Sequence, residues 1–328
     1  MTKILVVGGA GYIGSHACKA LAAAGYEPVV YDNLVAGHEW AVKWGPLERG
    51  DLLDRARLDD VIARHAPAGA MHFASLINVG DSVHRPGLYW RNNVAGTINL
   101  CDAAAEAGIG AMVFSSTCAV YAPSDAPTLT EDLPIGPINP YGSTKRAIET
   151  MLDDFETAFG LRSVVLRYFN AAGADADGGI GEAHDPETHL IPLALAAVAG
   201  DRGPLRIFGT DYPTPDGTCV RDYIHVSDLA DAHVLALRRL LAGGGSDVFN
   251  LGAGRGHSVR EVLAAVAKAA GAPVPAEEDE RRAGDAVRLV ADISHARKVL
   301  GWAPRHSSLD RIVETAWAWY RAHAHGAA

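Results

Sequence analysis

The sequence predicts an α/β protein: a doubly wound parallel sheet with a smaller C-terminal α/β lobe. Three observations predict it. Val- and Ile-rich runs alternate with helical patterns through the first half of the chain, a glycine-rich turn joins the first run to the first helix, and the alternation breaks after Asn170. The 328 residues suffice for two domains or one large one with a substantial core. An apolar share of 48% and a charged share of 21% are ordinary for a globular protein.

"KILVVGG" reads as the first strand and "SHACKALAAAG" as the first helix, closed by Gly25. "EPVVYD", "GAMHFAS", "GAMVFSS" and "LRSVVLRYFN" follow as further strands. Unbroken apolar runs flanked by glycine mark strands buried on both faces. "LYWRNNVAGTINLCDAAAEAG" is helical and ends at Gly108; another helix opens in "NPYGSTKRAIETML". The Gly-rich segment "AAGADADGGIGEAHDPETH" reads as a functional loop, because apolar material resumes directly after it. "PLRIFG", "VFNLGAG" and "VREVLAAVAKAAG" then belong to the smaller lobe. The expected division is 1–170 and 171–328, with some segments of the second part returning to pack on the first.

No run of about 18 apolar residues appears, so no membrane span is expected. The N-terminus begins a strand at once and lacks a signal-peptide pattern. Cys18, Cys101, Cys118 and Cys219 form no CxxC pair and read as free thiols of a cytoplasmic protein. A net charge of -10 argues against a nucleic-acid partner. The fourteen histidines show no HExxH or paired spacing, and His323 and His325 sit in a tail, so no metal is expected.

The chemistry begins at "VVGGAGYIGSH", where Gly8, Gly11 and Gly14 form GxxGxxG between a strand and a helix. Missing side chains let backbone N–H groups approach a pyrophosphate, which sits on the positive end of the helix dipole. A tight turn with close helix–strand packing would also use such glycines. The position, opening a βαβ unit, favours a Rossmann-type dinucleotide site. Asp32 ends the second strand, where an acid bonds a ribose and repels a 2′-phosphate, favouring NAD over NADP. Asp51, in "RGDLLD", follows the third strand and is placed to meet the adenine amino group.

Tyr141 and Lys145 stand four apart and share one helix face. Lowering a phenol by about 3 units from its usual pKa of about 10 takes roughly 4 kcal/mol. A nearby ammonium and a positive nicotinamide can supply that, making Tyr141 a general base. "FSSTCAVY" ends the fifth strand, placing Ser115, Ser116 and Thr117 at the sheet's carboxyl edge. Thr117 is taken as the hydroxyl that shares the substrate oxygen. Cys118 beside it reads as a small buried thiol rather than a nucleophile.

Together "GGAGYIGSH", "YDNL", "NNVAGT", "SSTCAVY", "NPYGSTK", "LRYFNAAGA", "FGTDYPTPDGTCVRDYIHVSDLADAH" and "NLGAGRGHSV" resemble the extended short-chain dehydrogenase/reductase family, and more narrowly the UDP-galactose 4-epimerase family. The likeness runs nearly end to end, and Phe208 to His233 is its most discriminating part. It implies an isomerase that keeps NAD bound and interconverts UDP-galactose and UDP-glucose by inversion at carbon 4 through a 4-keto sugar. Tyr141 would move the proton, Lys145 lower its pKa, and Thr117 share the path. By position, the resemblance assigns NAD contacts to Tyr12 and Ile13, Asp32 and Asn33, and Asp51 and Leu52. It adds Phe73, Ala74, Asn93 and Phe169 to that set. Substrate contacts fall on Asn170, His189 and Phe208, then on Arg221, Arg282, Asp285 and Leu289.

Two of these have competing readings: Arg221 as a structural partner of Asp222, and Arg282 as part of a solvated charge run. Four positions depart from the family pattern. Ile77 stands where some members carry Lys, and His189 where others carry Asn. Leu289, in the wall beside carbon 2, is intermediate in size and leaves UDP-N-acetylhexosamines and UDP-pentoses open as substrates. Ala122 replaces a usual Gly, with no functional account. Related dehydratases follow the threonine with an Asp–Glu pair; Cys118 and Ala119 stand there instead, which disfavours dehydration. An NAD-sensing module is disfavoured by the intact Tyr141, Lys145 and Thr117. The resemblance also implies a homodimer, paired through the helices that begin near Leu88 and Tyr141.

Overall fold

A computed structural model describes residues 1–282 and 284–323. Its strands, in chain order, are β1 Thr2–Val7, β2 Tyr26–Asp32, β3 Leu47–Arg49, β4 Gly69–His72, β5 Ala111–Thr117, β6 Arg162–Tyr168, β7 Asn170–Ala172, β8 Leu205–Phe208, β9 Val220–His225, β10 Asp247–Leu251, β11 Gly256–Ser258, β12 Ala276–Asp279 and β13 Arg288–Leu289. Seven of them form one parallel sheet in the order β10-β6-β5-β4-β1-β2-β3.

Period-two alternation sorts the side chains of β1 onto opposite faces. Ile4 and Val6 pack with Leu21, Leu229 and Leu237 beneath the helices Tyr12–Ala23 and Val226–Leu241. Leu5 and Val7 pack with Leu58, Leu100 and Ile148 beneath Arg55–His65, Gly96–Glu106 and Pro140–Phe159. Every residue of β5 is buried, as a central strand covered on both faces requires.

The helix Pro140–Phe159 starts where its sequence says it should. Asn139 accepts the Gly142 N–H at 2.8 Å, Pro140 takes the first turn, and Gly160 ends the helix at φ 73. The long helix expected over Leu88–Gly108 is instead divided: a π turn, Trp90–Ala95, sits between Pro86–Tyr89 and Gly96–Glu106. Buried Asn93 lies in that turn. Its amide bonds Leu76 N–H at 2.8 Å, Leu76 C=O at 3.1 Å and the Thr144 hydroxyl at 3.2 Å.

Segments of the second half return to the first, as expected, but one of them is a run assigned to the smaller lobe. "VFNLG" is not part of the smaller lobe. It forms β10, the edge of the main sheet, pairing Phe249 with Leu166 of β6. Its apolar run is buried because it completes a covered parallel sheet. The helix Val226–Leu241 returns as well, packing on Tyr12–Ala23. The smaller lobe keeps the β8–β12 pair and a sheet in which β9 meets β7, β11 and β13. Helices Leu190–Ala199, Val259–Ala270 and Leu309–His323 enclose its core of Ile191, Leu195, Val262, Val266, Ile312 and Val313. Among the described residues no helix is long and apolar enough to cross a membrane. All four cysteines are free thiols.

One buried ion pair fastens the helix Pro140–Phe159 to the sheet. Arg167 of β6 donates to both oxygens of Glu149, at 3.0 and 2.7 Å, with side chains only 5% and 3% exposed. Ser116 donates to the same carboxylate at 2.6 Å, and Arg167 reaches the Tyr121 hydroxyl at 3.1 Å. Removing one partner of such a pair strands the other charge in the interior. Glu149→Gln is therefore expected to lower unfolding stability by roughly 3 kcal/mol or more in urea titrations. A loss below about 1 kcal/mol would mean that Arg167 finds another partner.

Candidate active site

The carboxyl ends of β1, β2, β4, β5 and β6 meet along one edge of the sheet. The strand order reverses between β1 and β4, which opens a crevice there. The glycine turn forms one wall. A Cβ at Gly8, which has φ 82, would stand 2.5 Å from Ala74 N; one at Gly14 would stand 2.1 Å from Gly8 O. Only glycine permits this closeness. No described side chain caps the helix Tyr12–Ala23 and no acid lies in its first turn. The N–H groups of Tyr12, Ile13 and Gly14 thus offer an anion the positive end of a twelve-residue helix.

The Tyr12 hydroxyl is directed elsewhere, donating to Gly173 C=O at 2.6 Å and tying the turn to the segment after β7. Asp32, 8% exposed, accepts Ala10 N–H at 3.0 Å and Leu34 N–H at 2.9 Å. Burial raises its pKa, against those two bonds. Asn33 donates to Asp51 at 2.8 Å, and Leu53 N–H braces the same carboxylate at 2.8 Å. Leu52 packs beneath, against the helix at Gly96. Phe73 and Ala74 both donate N–H to Val7 C=O, at 2.8 and 3.1 Å, which draws the end of β4 over the glycine turn. Phe169 is buried and donates its N–H to Leu251 C=O. Asn93, expected as a direct contact, has its amide engaged by Leu76 and Thr144. It holds the 74–77 loop in place.

Tyr141 lies in the first turn of its helix and Lys145 one turn on. The ammonium, 2% exposed, donates to Ser115 C=O at 2.7 Å and to the Ser75 hydroxyl at 2.8 Å. It lies 4.9 Å from the Phe114 ring centre and 6.0 Å from that of Tyr141. Thr117 ends β5, accepting Ala119 N–H at 3.1 Å. Tyr141 and Lys145 share one face of the helix Pro140–Phe159, as their spacing predicts. Burial, aided by the Tyr168 phenol, pushes Tyr141 well above its ordinary value, against a lowering by Thr117. Burial also pushes Lys145 down to about 7, partly offset by Glu149.

Across the crevice, Asn170 opens β7 opposite Tyr223. Arg221 donates to Val220 C=O at 2.9 Å and Ala286 C=O at 2.8 Å, and its guanidinium lies 3.5 Å from Asp285. Asp222 is not its partner. That carboxylate accepts N–H groups from Ala253, Gly254 and Ala291 at 2.7, 3.0 and 3.1 Å. Arg282 is more than a solvated loop residue, since its guanidinium lies 3.8 Å from the Phe208 ring centre. Leu289 pairs with Arg221 on β13. His189 turns Nδ1 to Glu182 at the start of the helix Leu190–Ala199. Ile77 is 45% exposed. Burial pushes the Cys118 thiol up to about 12, which removes it as a nucleophile. His325 lies outside the described residues.

Ser75 and Glu149 were not singled out from the sequence. Ser75 stands 70 residues from the lysine it holds, so spacing gives no hint of it. Glu149, four residues after Lys145, follows helical periodicity, yet an acid there reads equally well as solvated.

The chain matches the model of the "NAD dependent epimerase/dehydratase family" over residues 4–252. It is 58% identical over 318 residues to a UDP-glucose 4-epimerase of Rhizobium meliloti (strain 1021), covering 97% of each chain. Among solved structures it resembles UDP-glucose 4-epimerase from Brucella ovis in complex with NAD, at TM-score 0.95 and 51% identity over 97% of this chain and 98% of that one. It also resembles the Bifidobacterium longum enzyme in complex with NAD+ and UDP, at TM-score 0.93 and 36% identity over 99% and 100%.

Gly14→Ala sets a methyl against Gly8 O and must push the turn open. Dinucleotide affinity is expected to fall at least tenfold, a change of about 1.4 kcal/mol, in equilibrium dialysis. Unchanged affinity would remove the glycine turn from the site.

Proposed function

The chain belongs to the NAD-dependent epimerase/dehydratase family, and we propose from that premise how its residues invert carbon 4 of a UDP-hexose. It is an NAD-dependent enzyme that interconverts UDP-glucose and UDP-galactose. The observation that carries this reading is the buried Tyr141–Lys145 pair beside Thr117 at the end of β5.

The glycine turn, with its uncapped helix and the Asp32 carboxylate, fits NAD. When bound, NAD supplies an acceptor for the hydride of carbon 4 and a donor that returns it. Tyr141 accepts the proton of the 4-hydroxyl and later gives it back, so its pKa has to lie near working pH in both directions. Lys145 contributes positive charge from a fixed position between Ser75 and Ser115. Thr117 hydrogen-bonds the reacting oxygen. Tyr12, Ile13, Asn33, Asp51, Leu52, Phe73, Ala74 and Phe169 line the cofactor, with Asn93 acting through the 74–77 loop.

Arg221 and Arg282 draw the diphosphate into a protein of net charge -10, with His189 beside it. Phe208 offers a face to uracil next to Arg282, while Asn170, Asp285 and Leu289 bound the sugar side. We assign the cofactor domain to residues 1–170 together with Val226–Leu241 and β10, and the substrate lobe to the remainder. The protein works as a cytoplasmic homodimer in galactose metabolism. Trp90, Ile98 and Phe159, 42%, 40% and 64% exposed on the two expected pairing helices, support the dimer.

Incubation with UDP-galactose is expected to form UDP-glucose on chromatography, with separate arms for UDP-N-acetylgalactosamine and UDP-xylose. Turnover of only the latter two would redirect the substrate assignment. Tyr141→Phe should lose about a hundredfold or more in turnover. Light scattering should report twice the 34.5 kDa chain mass. Ultraviolet titration of the phenol, assigned by difference from Tyr141→Phe, should move to lower pH when NAD is loaded and to higher pH in Lys145→Met. An ionisation indifferent to both would remove Tyr141 as the base.

A further inference from the structure

Among the described residues one group of metal-ligating side chains converges outside the catalytic pair. The loop after β7 carries His184, Glu187 and His189 in "HDPETH", with Glu182 two residues ahead. Both imidazoles turn Nδ1 toward Glu182 Oε1, with His184 at 3.1 Å and His189 closer still. Glu187 closes the group, 3.8 Å from His184 Nδ1 and 3.4 Å from His189 Nδ1. One donor atom from each residue lies within 4.8 Å of all the others.

The scaffold holds these donors from several sides. Trp319 donates to the Glu182 C=O at 2.9 Å, and His38 bonds the Ala183 C=O at 2.6 Å. Glu187 accepts N–H groups from Thr188 and His189 at 2.7 and 2.8 Å. The Glu182 side chain is 6% exposed, and the Tyr12 ring meets His184 edge-on at 6.1 Å. Two imidazoles and two carboxylates, with donor atoms all within 4.8 Å of one another, form a mixed N/O tetrad. Zinc takes such a shell tetrahedrally at about 2.0–2.2 Å. Calcium and magnesium call for all-oxygen shells. The spacing escaped the sequence reading because histidines five apart in a loop share no helix face.

We propose that Glu182, His184, Glu187 and His189 bind a divalent transition-metal ion of the zinc type as a structural clamp. The ion joins the loop to the glycine turn through Tyr12 and to the C-terminal helix through Trp319. It takes Nδ1 of His189 and leaves Nε2 to the diphosphate role assigned above. Glu182, His184 and Glu187 have no part in the catalytic scheme; only His189 is shared with it.

The test uses the full chain, stripped with chelator and dialysed against zinc(II), with metal quantified per chain. One tightly held zinc per chain is expected. Affinity should drop at least tenfold in Glu182→Gln and in His184→Gln, each checked for folding by circular dichroism without metal. Zinc should also raise the melting temperature of the wild type and not of the variants. Cobalt(II) bound to the unmodified chain should give the intense visible absorption of a tetrahedral site, a readout that needs no variant. Absence of saturable zinc binding, equal binding by both variants, or an octahedral cobalt spectrum would overturn the proposal.

Discussion

An ammonium removed from water needs oxygen around it, and that constraint organises the catalytic edge of this protein. Lys145 is almost wholly buried, and two oxygens answer it, the Ser115 C=O of β5 and the Ser75 hydroxyl after β4. Each contact fixes a different element relative to the helix that carries Tyr141. A charge buried without such partners would neutralise or destabilise the fold. The downward pressure on the lysine pKa shows how little surplus solvation it has. Burial disfavours the charged form of both the Tyr141 phenol and the Lys145 amine.

The Glu149–Arg167 pair extends that frame to the far side of the sheet. From it, bonds pass through Tyr121 to Asn250 of β10, and Asn250 reaches the Leu129 C=O and the Glu131 carboxylate. The catalytic helix, β5, β6 and the returning edge strand therefore share one buried polar network. Its members are mutually satisfied, which is the condition under which interior polar groups specify a structure rather than weaken it. In the smaller lobe Asp222 acts similarly, gathering N–H groups from the loop after β10 and from Ala291. It leaves Arg221, its neighbour in sequence, to face Asp285.

Much of this was legible in the chain. The parallel sheet followed from apolar runs long enough to be buried on both faces, and the dinucleotide turn from three glycines between a strand and a helix. Tyr141 and Lys145 followed from a spacing of four. These are local signals, carried by neighbouring residues through backbone geometry and helical period. The same signals failed where partners are distant. They assigned β10 to the wrong lobe and ran one helix through the π turn at Trp90–Ala95. They also passed over Ser75 and the loop tetrad of two histidines and two glutamates.

The sequence by itself determined most of the strands and helices, and the shared helix face of Tyr141 and Lys145, because hydrophobic period, caps and glycine turns act over a few residues. Tertiary structure alone decided the burial of Tyr141, the partner of Arg221 and the company of Lys145. Those depend on depth from solvent and on contacts between residues dozens to more than a hundred positions apart. No local pattern encodes a desolvation energy. Only the packed interior does.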